Sequence, residues 1–291
     1  MTHLTIGRRD VLIAMLLGPA LPLVPSAHAD GKVENALRRI EARTGGRLGV
    51  SVHDTHTGTR LSHRADEAFP MCSTFKALAA ALVLVRVDGG DESLDRLVVY
   101  GKEDLVAYSP AAEMYAGAGM SIGALCEAAV TLSDNTAANL LLESFGGPEA
   151  LTAWLRFIGD GTTRLDRVEP ALNQARRGDR RDTTTPRAMV ATLERLSLGS
   201  VLSRPSRDRF NAWLVANKTG DDRLRAGLPS GWTVGDKTGT CGKGVAGDIA
   251  VIWPPNRKPI VVAAYFGEAT LAQKELNAAF AEIGRIVAGL A

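Results

Sequence analysis

Strand signals in this chain stand only at its two ends. Residues 48–54 and 60–63 alternate apolar and polar side chains around Thr55-His56-Thr57-Gly58, a hairpin pattern. Comparable runs return only at 232–240, 246–253 and 260–266, the last two flanking a proline-rich turn. Between them, residues 73–87, 121–132, 136–144, 148–158, 186–196 and 207–217 read as helices. Residues 35–43 and 271–290 add one helix near each end. Strands must pair, so the two ends are expected to meet in one sheet around a helical insertion, an α/β (α+β) class. The expected division gives 30–63 with 216–291 to the sheet domain and 64–215 to an all-α domain. A cleft between two such lobes is the default ligand site.

Composition narrows the function classes. The 291 residues carry 34 Lys+Arg against 32 Asp+Glu, and 45% are hydrophobic. That is an ordinary folded chain, with no basic excess to serve nucleic acid. Three cysteines allow at most one internal disulfide and leave one over. A basic start up to Arg9, an apolar stretch broken by Pro19, Pro22 and Pro25, and Ala27-His28-Ala29 read as a signal peptide over 1–29. Arg8-Arg9 resembles a twin-arginine export signal. The apolar stretch is too short for a stable membrane anchor, so a periplasmic or secreted product is expected.

Of the five histidines, His3 and His28 leave with the signal peptide. His53, His56 and His63 cluster at the first hairpin, which disfavours a Ser-His-Asp triad and a His-rich metal site. No metal and no cofactor are expected. A nucleophile here needs a lysine or a carboxylate as its base. Ser73-Thr74-Phe75-Lys76 opens a predicted helix, where positions i and i+3 share a face and Lys76 reaches the Ser73 hydroxyl. Ser133-Asp134-Asn135 interrupts two helices, and Lys237-Thr238-Gly239 ends a strand. Each motif alone is common. All three in this order are specific.

Together they resemble the penicillin-recognising serine enzymes. The segment from Arg164 through Glu169-Pro170 to Asn173 resembles the omega loop of the class A serine β-lactamases. The resemblance spans essentially the whole mature chain. It implies a five-stranded antiparallel sheet, with an inserted all-α domain whose omega loop lies near 164–182. It further implies that Ser73 is acylated, with Lys76 or Glu169 as acylation base, and that Ser133 protonates the leaving nitrogen. On the same resemblance the amides of Ser73 and Thr240 are expected to form the oxyanion hole, and Glu169 with Asn173 to hold the deacylating water. The resemblance also implies that Asn135 positions Lys76 and substrate, that Lys237 attracts the substrate carboxylate, and that Tyr108 packs on substrate at the cleft mouth. A cis bond before Pro170 and an Arg167–Asp182 ion pair are also implied.

Two departures from the commonest pattern stand out. Ala246 occupies a position where many relatives carry a carboxylate-binding Arg, so Arg223 with Thr238 and Thr240 is expected to take that role. Cys72 and Cys241 flank the site and resemble the bridge of the carbapenem-hydrolysing branch. Cys126 is left free, since its usual partner position is Ala80. The implied partner is a small-molecule β-lactam, bound by a monomer and giving antibiotic resistance. The alternatives are a D,D-peptidase or transpeptidase, and a penicillin-binding sensor that stays acylated. Glu169 and Asn173 favour the hydrolase, the only one of the three needing a dedicated deacylation water.

Overall fold

A computed structural model describes residues 27–242 and 244–291. Up to residue 26 the expected signal peptide lies outside the described residues. Helix α1 (Ala27–Thr44) leads into β1 (Arg47–Asp54) and β2 (Arg60–His63). After β3 (Phe69–Pro70), one 3-10 turn at Cys72–Thr74 opens α2 (Phe75–Gly89). The middle holds β4 (Leu97–Val98), β5 (Met120–Ser121), α3 (Ile122–Glu127), α4 (Asn135–Ser144) and α5 (Gly147–Phe157). It continues through β6 (Thr183–Thr184), α6 (Pro186–Ser197) and α7 (Arg204–Val215). Strands β7 (Thr233–Thr240), β8 (Ala246–Trp253) and β9 (Ile260–Gly267) and helix α8 (Gln273–Ala288) end the chain.

The sheet is five-stranded and antiparallel in the order β2-β1-β9-β8-β7. The two ends of the chain do meet, with Arg47 opposite Gly267 and Asp54 opposite Ile260. Both faces are buried along β1, β9, β8 and β7, and successive side chains of β9 divide between them. Ile260, Val262, Ala264 and Phe266 join Leu37, Ile40, Phe280 and Ile283 from α1 and α8. Val261, Ala263 and Tyr265 turn the other way, into the larger core built with α2, α6 and α7. Burial on both faces explains why β8 and β9 read as nearly continuous apolar runs rather than strict alternation.

The middle of the chain differs from its sequence reading in two respects. It is not purely helical, because β3 pairs with β6 and β4 with β5. Two-residue ladders are too short to show a period in sequence. The expected helix over 121–132 begins as strand, becomes α3, and finishes in a π-helical turn, Ala128–Leu132, that delivers Ser133 with φ 61°.

Candidate active site

The site forms where the start of α2, the turn before α4, the loop after α5 and the end of β7 converge. Cys72 has φ 46°, which turns the chain sharply from β3 into α2 and presents Ser73. Three residues on, Lys76 is fully buried. Its ammonium donates to the Ser133 carbonyl at 2.7 Å and to Asn135 Oδ1 at 2.5 Å, and lies 3.2 Å from Glu169 Oε1. Burial pushes the Lys76 amine below its ordinary range, against the opposing pull of Glu169. Its three N–H donors face three acceptors, so none is left for Ser73. Instead the Ser73 hydroxyl faces Glu169 Oε1 at 3.5 Å.

Glu169 is not an exposed loop acid. It is 2% exposed, and Asn173 Nδ2 donates to its Oε2. Its bond to Pro170 is cis, as the resemblance implied. Two contacts fix the loop. Arg167 Nε donates to Asp182 Oδ2 at 2.6 Å, and Asp182 Oδ1 accepts the amides of Asp166 and Arg167. Asn139, on α4, accepts the Glu169 amide and donates to the Glu169 carbonyl, both at 2.9 Å. Sequence reasoning missed Asn139. The available signal was its place one helical turn beyond Asn135, on the same face.

Asp134 caps α4 through Ala137 and also accepts the amides of Ala111 and Ala112, which sets the loop carrying Tyr108. Asn135 strengthens that link, donating its amide to the Tyr108 carbonyl and Nδ2 to the Ala107 carbonyl. Tyr108 itself is 62% exposed at the cleft mouth. Across the cleft Lys237, fully buried, donates to Ser133 Oγ at 3.1 Å and to the Thr238 carbonyl at 2.9 Å. Burial, reinforced by the charge of Lys76, pushes the Lys237 amine down to about 7. Gly239 permits close approach here: a Cβ would lie 2.7 Å from the Met71 carbonyl and 3.1 Å from the Ser73 amide. Cys72 and Cys241 are bonded across the same junction, while Cys126 is free and buried.

Arg223 lies at the cleft but is not a solvated loop residue. Its Nη1 donates to the Gly239 and Gly247 carbonyls, Nη2 to Thr240 Oγ1 at 2.7 Å, and Nε to Asn277. Four of five N–H donors are committed, leaving one. Beneath it Asp248 accepts the Leu224 amide, and burial with the nearby Asp236 charge pushes the Asp248 carboxyl well above the usual range. Asp236 is paired with Arg225 and Asn217. Neither aspartate stood out in the sequence.

The cleft is about 310 Å³, lined by Ser73, Tyr108, Ser133, Asn135, Asn173, Thr219, Arg223 and the residues from Thr238 to Thr240. Lys76, Glu169 and Lys237 stand just beneath its floor, so every sequence-predicted residue converges on one place. A larger groove of about 420 Å³, including Arg47, Asp179 and Glu268, lies behind the loop and holds none of them. A serine beside a buried carboxylate and two buried lysines is built for acyl transfer, and the carboxylate can also activate water.

Comparison with known proteins agrees with that chemistry. The family described as "Beta-lactamase enzyme family" matches residues 32–290. The carbapenem-hydrolyzing β-lactamase KPC of Klebsiella oxytoca is 45% identical, covering 97% of each chain. β-Lactamase AST-1 of Nocardia asteroides is 47% identical over 92% of this chain and 86% of its own. Among solved structures, an ancestral (GNCA) class A β-lactamase superposes with TM-score 0.88 at 62% identity, covering 89% of this chain and all of that one. A putative class A β-lactamase from Rhodopseudomonas palustris gives the same TM-score and coverage at 58% identity. The chain belongs to the class A β-lactamase family.

Proposed function

We propose that the protein hydrolyses the lactam amide of penicillins, cephalosporins and carbapenems through an acyl-enzyme on Ser73. The observation that carries this is the shared position of Glu169, 3.5 Å from the Ser73 hydroxyl and bonded to Asn173. The same carboxylate then serves both half-reactions.

In acylation Ser73 Oγ attacks the lactam carbonyl and its proton passes to Glu169, since the Lys76 donors are already occupied. The oxyanion sits between the Ser73 and Thr240 amides, worth roughly 3 kcal/mol per donor. As the C–N bond breaks, the nitrogen takes the Ser133 proton. Lys237 donates to Ser133 Oγ, which leaves that proton free to go. Ser133 is reprotonated from Lys76, which recovers a proton from Glu169. In deacylation Glu169 and Asn173 hold a water. Glu169 takes its proton, the hydroxide attacks the ester, and Ser73 regains its hydrogen. Lys237, Thr238, Thr240 and the remaining Arg223 donor receive the substrate carboxylate, with Tyr108 and Asn135 beside the rest of the substrate.

The Cys72–Cys241 bridge and the likeness to a carbapenem-hydrolyzing relative support activity on carbapenems. The protein works as an exported monomer, freed of residues 1–29, with an α/β domain from 30–63 and 216–291 and a mainly helical domain from 64–215 that carries two short ladders. Mixing it with a chromogenic cephalosporin tests the reading: multiple turnovers are expected, and a single stoichiometric burst overturns it in favour of a penicillin-binding sensor or peptidase. Glu169→Ala should slow deacylation about 10²–10⁴-fold and accumulate an acyl-enzyme visible by mass. Acylation persists there because Lys76, without its counter-charge, loses its proton more readily and takes over as base. A variant that shows no accumulated acyl-enzyme refutes the role given to Glu169.

A further inference from the structure

Thr219 lines the cleft in the turn after α7, and its hydroxyl meets that of Thr238 at 2.5 Å. It also donates to Asn217 Oδ1 at 2.9 Å, and the Thr219 amide reaches the same oxygen at 3.1 Å. A backbone N–H can only donate, so the Asn217 atom facing Thr219 is the carbonyl oxygen. Asn217 is buried at 2% exposure, and its Nδ2 is spent on Asp236 at 2.8 Å. Counting donors against acceptors assigns the protons. A hydroxyl has one proton to give, and Thr219 gives its proton to Asn217. The proton in the short contact between the threonines is therefore that of Thr238. On that assignment the resting Thr238 hydroxyl gives its proton to Thr219 and presents lone pairs to the cleft.

We propose that Thr219 is a positioning residue that switches Thr238 between acceptor and donor when a substrate carboxylate enters. This rests on the reading of the cleft as a β-lactam site. An arriving anion draws the Thr238 proton toward itself. Thr219 then rotates its own proton from Asn217 onto Thr238 Oγ1, keeping the contact between the two hydroxyls. Asn217 Oδ1 keeps the Thr219 amide, so no buried polar atom is stranded in either state. The chain Thr219 to Thr238 to carboxylate polarises each link, which makes Thr238 a better donor than an isolated hydroxyl. Selectivity for an anionic substrate over a neutral one thus depends on a residue expected to make no contact with the anion.

The test compares benzylpenicillin with its methyl ester in the wild type, Thr219→Val and Thr219→Ser. In Thr219→Val, KM for the free acid should rise about tenfold, kcat should move far less, and KM for the ester should stay near its wild-type value. Thr219→Ser should restore the wild-type KM for the acid. Equal losses on acid and ester, or a fall confined to kcat, overturn the switch, as does an unchanged KM for the acid in Thr219→Val. Wild-type protein that does not turn over benzylpenicillin overturns the β-lactam reading itself, which separates the two failures.

Discussion

Two buried lysines carry charge into a site where the net charge of the chain is almost zero. An ordinary lysine keeps its proton to about pH 10, but burial and Lys76 bring Lys237 down to about 7. Lys237 is therefore charged below about pH 7 in the free enzyme and neutral above it. For the proposed anionic substrate, kcat/KM should fall as pH rises through about 7, because the charge that attracts the carboxylate is lost. The same shift bears on stability. A base with a depressed folded pKa penalises the fold below about 7 and relieves it as pH climbs toward the ordinary lysine range. Lys237→Arg keeps its proton throughout, so the alkaline limb should move up by two pH units or more. A limb unmoved in that variant assigns the titration to another group.

At the scale of elements, α4 holds the loop that carries Glu169 as well as presenting Asn135. Asn139 holds both backbone polar groups of Glu169, so Asn139→Ala strands a buried amide and carbonyl. It should cost about 1–3 kcal/mol of stability in thermal unfolding and lengthen the acyl-enzyme lifetime about tenfold. Normal lifetimes in a destabilised variant would confine Asn139 to a structural role. How much of this could be read beforehand follows from the same contacts. Ser73, Lys76, Ser133 and Lys237 were legible because each belongs to a short motif whose spacing the chemistry restricts. The paired ends of the sheet were legible because strand periodicity appears nowhere else. Asn139 and Thr219 were not, because their partners lie 30 and 19 residues away and their residue types occur everywhere. Nor was the environment of Arg223, since burial of an arginine depends on which carbonyls the tertiary fold brings to it.

At the scale of the whole molecule, the chain must close on itself before any site exists. β1 and β9 join its ends, and Cys72–Cys241 ties the turn that presents Ser73 to the end of the edge strand β7, across 169 residues. Closing so long a loop restrains the unfolded chain more than the folded one, an effect worth about 2–5 kcal/mol. The bridge also sits on a strained residue. Cys72 holds φ 46° without being glycine, a conformation costing about 1–3 kcal/mol that the surroundings must enforce. Here the enforcing groups are the bridge itself and the backbone of β7, pressed close at Gly239. Without the bridge the turn can relax, and Ser73 then drifts from the amides that would receive the oxyanion. Cys241→Ser should therefore lower the denaturant midpoint and also slow acylation. Carbapenem turnover should fall more than penicillin turnover if the bridge matters to the former in particular. Denaturant titration and stopped-flow acylation of the same preparation separate the two effects. A lower midpoint with unchanged acylation leaves the bridge as a staple of the fold and removes its part in catalysis.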